Sequence, residues 1–399
     1  MNTANPIVMT LDAGGTNLVF SAICNGEEIV SPVTLPTAPH DLELCLHTIR
    51  KGFETIQSLL PARPEAISFA FPGPADYEAG IIGDLPNFPA FRNGVALGPY
   101  LEDCFGIPVF INNDGNLFAY GEALAGALPE INSRLEAAGN PKRYHNLLGV
   151  TLGTGFGGGV VIHGNLLKGD NQTGGYLWCL PHKKHGELIA EESVSIRGIQ
   201  RIYTKLSGDT ANYTPKEIYE IAEGLKEGNR EAAKRAFAEL GEVAGHAIAT
   251  ALTLIDGVVV IGGGIAGASK YILPALMKEL REDTGMTDGT RFPRLQMKAY
   301  NLENQEESEA FLKTADRYVK VPESQKEVAY QTERRTGVIL SRLGASRAIA
   351  LGAYWLAVSE LRKKTINIKS DHEKIYTSYM HTGNLVQFLR KQSGKDTER

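Results

Sequence analysis

Residues 8–23 read VMTLDAGGTNLVFSAI, and residues 147–162 read LLGVTLGTGFGGGVVI. Each is an apolar, β-branched run, a Gly/Thr turn and a second apolar run, which is the pattern of a β-hairpin whose turn carries little side chain. Glycine lets backbone N–H groups close on an anion and form a concave nest for it. The device occurs twice, which predicts two similar halves gripping one phosphate chain between them.

The rest of the chain is compatible with that reading. At 399 residues it is too long for one small core, so two domains are expected. It holds 46 acidic against 41 basic residues, a net charge of −5, which leaves no basic excess for a nucleic-acid or membrane-surface role. Cys24, Cys45, Cys104 and Cys179 are scattered without framework spacing, as expected of reduced thiols. The start, MNTANPIVMT, shows no charged and apolar signal regions, and no apolar run reaches the ~20 residues of a membrane span. A cytoplasmic protein is expected.

Between the hairpins, Leu42, Cys45, Leu46, Ile49, Phe53 and Ile56 mark a helix over 40–60. A buried strand over 66–71 ends at Pro72-Gly73-Pro74, and a strand over 108–111 ends at Asn112-Asn113-Asp114. An amphipathic helix is expected over 115–124, and a polar, broken stretch with a domain transition over 127–146. After the second hairpin, Thr214-Pro215-Lys216-Glu217 reads as a capping box. A long helix follows over 230–255, then a strand over 258–261, Gly262-Gly263-Gly264 and another helix. Residues 285–335 are charged and weakly periodic, and read as an insertion or lid; an apolar helix returns over 345–361.

Two segments fit the dinucleotide fingerprint G-x-G-x-x-G: Gly153, Gly155, Gly158 and Gly262, Gly264, Gly267. The first is followed by a strand instead of a helix. The second has the right context, with Glu279 and Glu282 placed roughly where a ribose-binding acid would stand, so a nicotinamide-dependent oxidoreductase is an alternative. That alternative leaves both hairpins without a purpose. Asp114 is the catalytic candidate, because it ends a strand where open α/β sheets place their chemistry. Asp is also a favoured helix cap, so by itself the residue would read as structural. Between two phosphate turns it reads as the base that takes a hydroxyl proton during phosphoryl transfer, with Asn113 holding a polyol.

The ordered set LDAGGTN (11–17), SFAFPGP (68–74), LPNFP (85–89), PVFINNDGN (108–116), LGTGFGGGVV (152–161), EESVS (191–195), DGVVVIGGG (256–264) and LSRLGASRAIALGA (340–353) resembles the ROK family of sugar kinases and sugar-responsive repressors. The resemblance covers about 6–360. It implies an α/β, two-lobed actin/hexokinase-like (ribonuclease H-like) ATPase fold that closes over ATP, Mg2+ and a hexose or N-acetylhexosamine, in a homodimer. Residues 1–122, completed by the helix over 345–361, would form one lobe, 123–344 the other, and 362–399 an extension. Position by position, it implies that Asp12, Gly14, Gly15, Thr16 and Asn17 hold phosphate, with Gly153, Thr154 and Gly155 as the second phosphate turn. Gly263 and Gly264 would seat the adenosine. Asp114 matches the base; Asn113, Asn87, Glu191 and Gly73 lie on the sugar side, with Glu192 a one-residue alternative to Glu191.

The segment GDNQTGGYLWCLPHKKHGELIAEESVS departs from the family. Tyr176 and Cys179 stand where many members carry a sugar-binding Glu and a His that also binds zinc, and the cysteine cluster is missing. A family zinc site is therefore not expected. Cys179, His182 and His185, three apart, are a weak metal candidate against a plain loop. Tyr176 and Trp178 could instead stack on a sugar face. The alternatives to a kinase within this family are a sugar-binding regulator, for which only seven residues precede Val8, and a catalytically silent relative.

Overall fold

The structure is a computed structural model that describes residues 5–13, 16–83, 89–315 and 317–382. Strands β1 (Val8–Ala13) and β2 (Asn17–Cys24) pair antiparallel from Val8–Ile23 to Ala13–Leu18, as the first hairpin predicts. Asn25 and Gly26, at φ 52° and 80°, turn the chain into β3 (Glu27–Glu28), the geometry of a type I′ turn. β4 (Val33–Pro36) returns along β2. Helix α1 (Leu42–Leu59) is capped by the Asp41 carboxylate, which accepts from Leu44 N–H, and it buries Cys45, Ile49, Phe53 and Ile56 at helical spacing. β5 (Ala66–Ala70) lies parallel to β1. A small hairpin, β6 (Ala75–Asp76) and β7 (Ile81–Ile82), and helix α2 (Leu97–Phe105) lead to β8 (Val109–Asn112), parallel to β5. The sheet runs β3-β2-β1-β5-β8.

Helix α3 (Asp114–Ala125) differs from the amphipathic element expected there: every residue from Gly115 to Ala123 is buried. It is enclosed by the second sheet on one side and the last helix on another, so no face is left for solvent. The stretch after it is also more ordered than its polar composition predicts. Helix α4 (Ala127–Ala137) buries Leu128, Ile131 and Leu135, and its first turn is started by the buried Glu122 carboxylate, which accepts from Ala127 N–H at 2.8 Å. The break is confined to the residues from Gly139 (φ 69°) onward.

The second half repeats the plan of the first. β9 (Leu147–Leu152) and β10 (Phe156–Ile162) form the second hairpin. His163 and Gly164, at φ 48° and 74°, turn into β11 (Asn165–Leu166) as Asn25 and Gly26 do in the first half. Helix α5 (Ile196–Ser207) precedes α6 (Pro215–Glu223), which starts on the capping box read at Thr214 and Glu217, and α7 (Arg230–Ile255) matches the expected long helix. β12 (Val258–Gly262) lies parallel to β9 and leads through a 3-10 turn, Gly264–Ala268, into α8 (Ser269–Leu280).

Within the stretch read as insertion or lid, β13 (Asp283–Gly285) pairs β14 (Arg291–Pro293) outside the main sheet. β15 (Lys298–Asn301), by contrast, forms the sheet edge, with α9 (Gln305–Leu312) packed against it. Strands β16 (Arg317–Lys320) and β17 (Glu327–Tyr330) make another outlying hairpin, and β18 (Arg335–Leu340) inserts between β12 and β15. The sheet runs β11-β10-β9-β12-β18-β15, so in each half an antiparallel meander is extended by parallel strands.

Helix α10 (Ala345–Thr382) outlasts the expected end at Leu361. It packs on α3 and on β1, β5 and β8. The two helices meet backbone to backbone: a Cβ at Gly121 would fall on the Ala348 carbonyl, and one at Gly352 on the Leu117 carbonyl. Tyr354 and Val358 join Val8, Ile23 and Ala66 in a small core, and Tyr354 Oη accepts from Asn25 N–H at 2.9 Å. The strand-to-helix junction at Asp114 is thus held from both halves.

Candidate active site

β8 ends in a polar knot that fixes the first turn of α3. The buried Asn112 Oδ1 accepts from Asn113 N–H and from Asn116 Nδ2, both at 2.9 Å. Asn113 is the cap of α3, with its Oδ1 accepting from Asn116 N–H at 2.7 Å. The cap is therefore Asn113 and not Asp114, and Asp114 opens the helix proper with its carboxylate accepting from Gly115 N–H at 2.8 Å. Asp114 is exposed, although protein atoms crowd round and partly enclose its carboxylate. The enclosure raises its pKa. The N–H donors of Gly115 and of Asp114 itself oppose that rise, and the like charge of Asp12, at the end of β1, adds to it.

The glycines of the second hairpin divide into two jobs. Gly153 and Gly155 close the turn, with Gly153 N–H donating to the Gly155 carbonyl at 3.1 Å. Gly157, Gly158 and Gly159 lie within β10; Gly157 and Gly159 face α3, whereas a Cβ on Gly158 would meet the Gly175 carbonyl and Leu177. A Cβ on Gly115 would come 2.6 Å from the Gly158 carbonyl oxygen, and one on Gly159 would come 2.6 Å from the Gly115 carbonyl oxygen. The glycine run that reads as phosphate nest is therefore largely a bed for the helix that carries Asp114.

Glu191 is strapped across the same turn. Its Oε2 accepts from Phe156 N–H at 3.0 Å, its Oε1 pairs with Arg197 at 3.2 Å, and a Cβ on Gly155 would come 2.5 Å from Oε2. Glu192 pairs with Arg197 at 2.9 Å. Gly263 (φ 93°) stands beside the turn as well, since a Cβ there would strike Leu152, while Gly264 opens onto free space. Thr16 and Asn17 are exposed at the head of β2. Gly14, Gly15 and Asn87 lie outside the described residues.

On the opposite wall, the Tyr176 side chain hydrogen-bonds Asn113, and its ring lies 6.1 Å from that of Trp178 at a 45° tilt. Gly73 faces Tyr77, whose hydroxyl would be 3.0 Å from a Cβ at that position. Sequence reasoning missed Tyr77. It is buried, donates to the Phe71 carbonyl at 3.0 Å, and feels the charges of Tyr176 and Asp114; burial, first, and then these charges hold its phenol protonated. Its approach to Gly73 and Asp114 arises from a turn back across the sheet edge, which no local pattern announces.

Two of the three residues of the weak metal candidate, Cys179 and His182, are engaged by protein partners, while the His185 side chain is exposed. His182 is buried; its Nδ1 accepts from Lys184 N–H at 3.1 Å, so its Nε2 donates to Ser193 Oγ at 2.9 Å. The Cys179 thiol donates to the Tyr176 carbonyl, and among the described residues no three His, Cys, Asp or Glu side chains cluster as metal ligands. All four cysteines are free thiols. Among the described residues no helix is long and apolar enough to cross a membrane.

Two antiparallel hairpins on duplicated sheets, with a strand-end carboxylate at the head of the helix that packs on the second of them, define a two-lobed protein of the actin-like ATPase fold. The pattern that defines the ROK family matches residues 8–286, and the chain belongs to that family. It is 27% identical over 291 residues to the glucokinase of Thermotoga maritima, covering 68% of this chain and 86% of that protein. It is 28% identical over 320 residues to the N-acetyl-D-glucosamine kinase of Vibrio atlanticus, covering 70% and 97%. The crystal structure of glucokinase from Parabacteroides distasonis superposes with a TM-score of 0.81 at 60% identity, over 90% of this chain and 99% of that one. The ROK hexokinase of Thermus thermophilus shares the fold, with a TM-score of 0.62 at 24% identity, over 89% of this chain and 99% of that one.

Proposed function

We propose that this protein is an ATP-dependent sugar kinase that phosphorylates a hexose, with glucose ahead of the N-acetylhexosamines. The observation that carries the reading is Asp114: a carboxylate freed from capping by Asn113, standing at a strand end, on a helix whose start packs against the glycines of the second hairpin. The 60% identity to a protein called a glucokinase favours glucose over the alternatives.

In this reading Asp114 Oδ accepts the proton of the attacking sugar hydroxyl. Its raised pKa makes it a stronger base than an ordinary carboxylate. Asn113, with its Oδ1 committed to the helix and its amide shared with Tyr176, has its remaining amide N–H for the sugar. Tyr176 and Trp178 supply an aromatic wall, and Gly73, Asn87 and Glu191 complete the sugar side. The turns at Asp12–Asn17 and Gly153–Gly155 hold the phosphates, and Gly263 with Gly264 seats the nucleoside. Gly264 has free space above it, which fits a ligand lying against the backbone. Asp12 and Asp114 are near enough to feel each other's charge, and such an oxygen pair suits a hard cation like Mg2+. When bound, ATP supplies the phosphoryl group and Mg2+ neutralises its charge. We take residues 1–122 with 345–361 as one lobe and 123–344 as the other, a division supported by the packing of α10 on β1, β5 and β8.

A coupled ADP-release assay over glucose, mannose, fructose, N-acetylglucosamine and N-acetylmannosamine tests the reading. Glucose should give the highest kcat/KM. Sugar binding without ADP release on any of the five would overturn the kinase in favour of a sugar-binding regulator.

A further inference from the structure

The proposed sugar wall is a loop with an anchor of its own. Residues 176–191 fold into a tight excursion: Pro181 bridges Ile189, His182 N–H donates to the Leu188 carbonyl at 2.8 Å, and Ala190 N–H donates to the Leu180 carbonyl at 2.8 Å. One leg carries Tyr176 and Trp178, and the other ends at Glu191, whose N–H donates to the Trp178 carbonyl at 3.2 Å. The tip carries Lys183 and Lys184 and lies on α7 and α8, remote from Asp114 in the chain.

There the Lys183 ammonium enters a socket of three carboxylates. It bonds the buried Glu279 of α8, with Glu242 of α7 at 3.5 Å and Glu282 at 3.6 Å. Lys184 pairs with Glu242 at 2.9 Å and Glu239 at 3.3 Å. Burial works against the Lys183 charge, but the hydrogen bond and charge of Glu279, with Glu282 and Glu242 behind them, outweigh it and raise its pKa. Glu279 is the decisive partner, because it is almost wholly removed from water and its Oε2 has no hydrogen-bond partner. A buried carboxylate that lost its lysine would be an uncompensated charge, so the socket strongly favours a docked loop.

We infer that Lys183 is a positioning residue for the sugar site: its ammonium, seated in the Glu242–Glu279–Glu282 socket, holds both legs of the 176–191 loop and so sets where Tyr176, Trp178 and Glu191 stand. The inference rests on the sugar-kinase reading for the identity of the ligand, and on the contacts alone for the docking. It predicts a defect confined to the sugar. Lys183→Met should raise the sugar KM by between about tenfold and a hundredfold, since small misplacements far from the chemistry have effects of that order. The KM for ATP and kcat should move less than about twofold.

Lys183→Met/Glu279→Met separates positioning from stability. Removing both charges leaves no stranded carboxylate, so the double variant should recover the Tm lost by the single one while its sugar KM stays raised. Lys183→Arg should restore most of the sugar affinity. Hydrogen exchange across 176–191, measured on the full chain without ATP or sugar, should speed up in both Met variants. A sugar KM that returns with the Tm in the double variant would overturn the positioning role, as would an unchanged sugar KM in the single variant. Should the wild type show no kinase activity, sugar Kd by calorimetry takes the place of KM. Faster exchange with an unchanged Kd then overturns the inference, and a raised Kd sustains it although the kinase reading has failed.

Discussion

The two hairpins occupy equivalent places in equivalent sheets, yet they put bulk on opposite partners. In the first, β2 contributes Phe20, and α1 makes room with Gly52, where a Cβ would strike the Phe20 ring. In the second, β10 gives up its side chains at Gly157 and Gly159, and α3 comes down onto that bare face of the strand. The first arrangement buries a large apolar ring, and the second brings a helix start and its carboxylate close to a turn. One topology therefore serves stability at one end and site geometry at the other. The residue that is small shows which.

The largest effect should come from the carboxylate that the bare strand seats. Asp114→Asn should lower kcat by about a hundredfold to ten-thousandfold with sugar binding retained, as measured by coupled ADP release and calorimetry. The same variant should melt no lower than the wild type near neutral pH. A carboxyl whose pKa is raised on folding binds its proton more tightly in the native state, so its contribution to stability falls as pH rises through the window between its ordinary and its raised value. The neutral amide escapes that loss, and a clearly lower Tm would show that Asp114 is structural.

Next, Gly159→Val and Phe20→Ala attack the two hairpins directly. Each should cost about 3 kcal/mol or more in urea unfolding, the first by driving a side chain into the backbone of Gly115 and Asn116, the second by leaving a cavity. Only Gly159→Val should also depress kcat, because only it moves α3. Equal losses of kcat in the two variants would erase the distinction drawn between the hairpins.

Gly155→Ala should push on Glu191 and raise the sugar KM by about tenfold, whereas Gly153→Ala, with open space around it, should stay within about 0.5 kcal/mol of wild-type stability. The pH profile links the two hairpins. Asp114 must be ionised to act, so kcat/KM should fall as pH drops through a value above the usual carboxylate range, and Asp12→Asn should move that limb to lower pH by removing a like charge. An unmoved limb would mean that the first hairpin's acid does not sense the second's site. The smallest effects belong to the paired turns. Gly26→Ala and Gly164→Ala, with no neighbour in the way but φ near +80° and +74°, should each cost about 1 kcal/mol in Tm-derived stability.

Much of this is visible in residue order because it depends on neighbours in the chain. The register of β1 with β2, the apolar stripe of α1, the capping box at Thr214 and Glu217 and the length of α7 all follow from spacing that local geometry reads directly. The Asn25-Gly26 turn is equally local, an Asn-Gly pair with both residues at positive φ. Other features were hidden for physical reasons. α3 looked amphipathic because its polar residues, Asn116 and Glu122, find partners inside the protein: Asn116 Nδ2 donates to Asn112, and Glu122 accepts from Ala127 N–H and Ser341 Oγ. The role of Lys183 could not be read from a loop sequence, since its three carboxylates arrive from α7, α8 and the residues that follow α8.

By itself, then, the sequence determined two hairpins, the elements around them and the acid standing at a strand end, because hydrogen-bond geometry and hydrophobic period act over a few residues. The tertiary structure alone decided which glycines face a ligand and which face a helix. It also decided that Asn113, and not Asp114, caps α3, and that a pair of lysines anchors the loop beside Glu191. These depend on excluded volume and on charges brought together from distant parts of the chain, and neither exists until the chain has closed on itself.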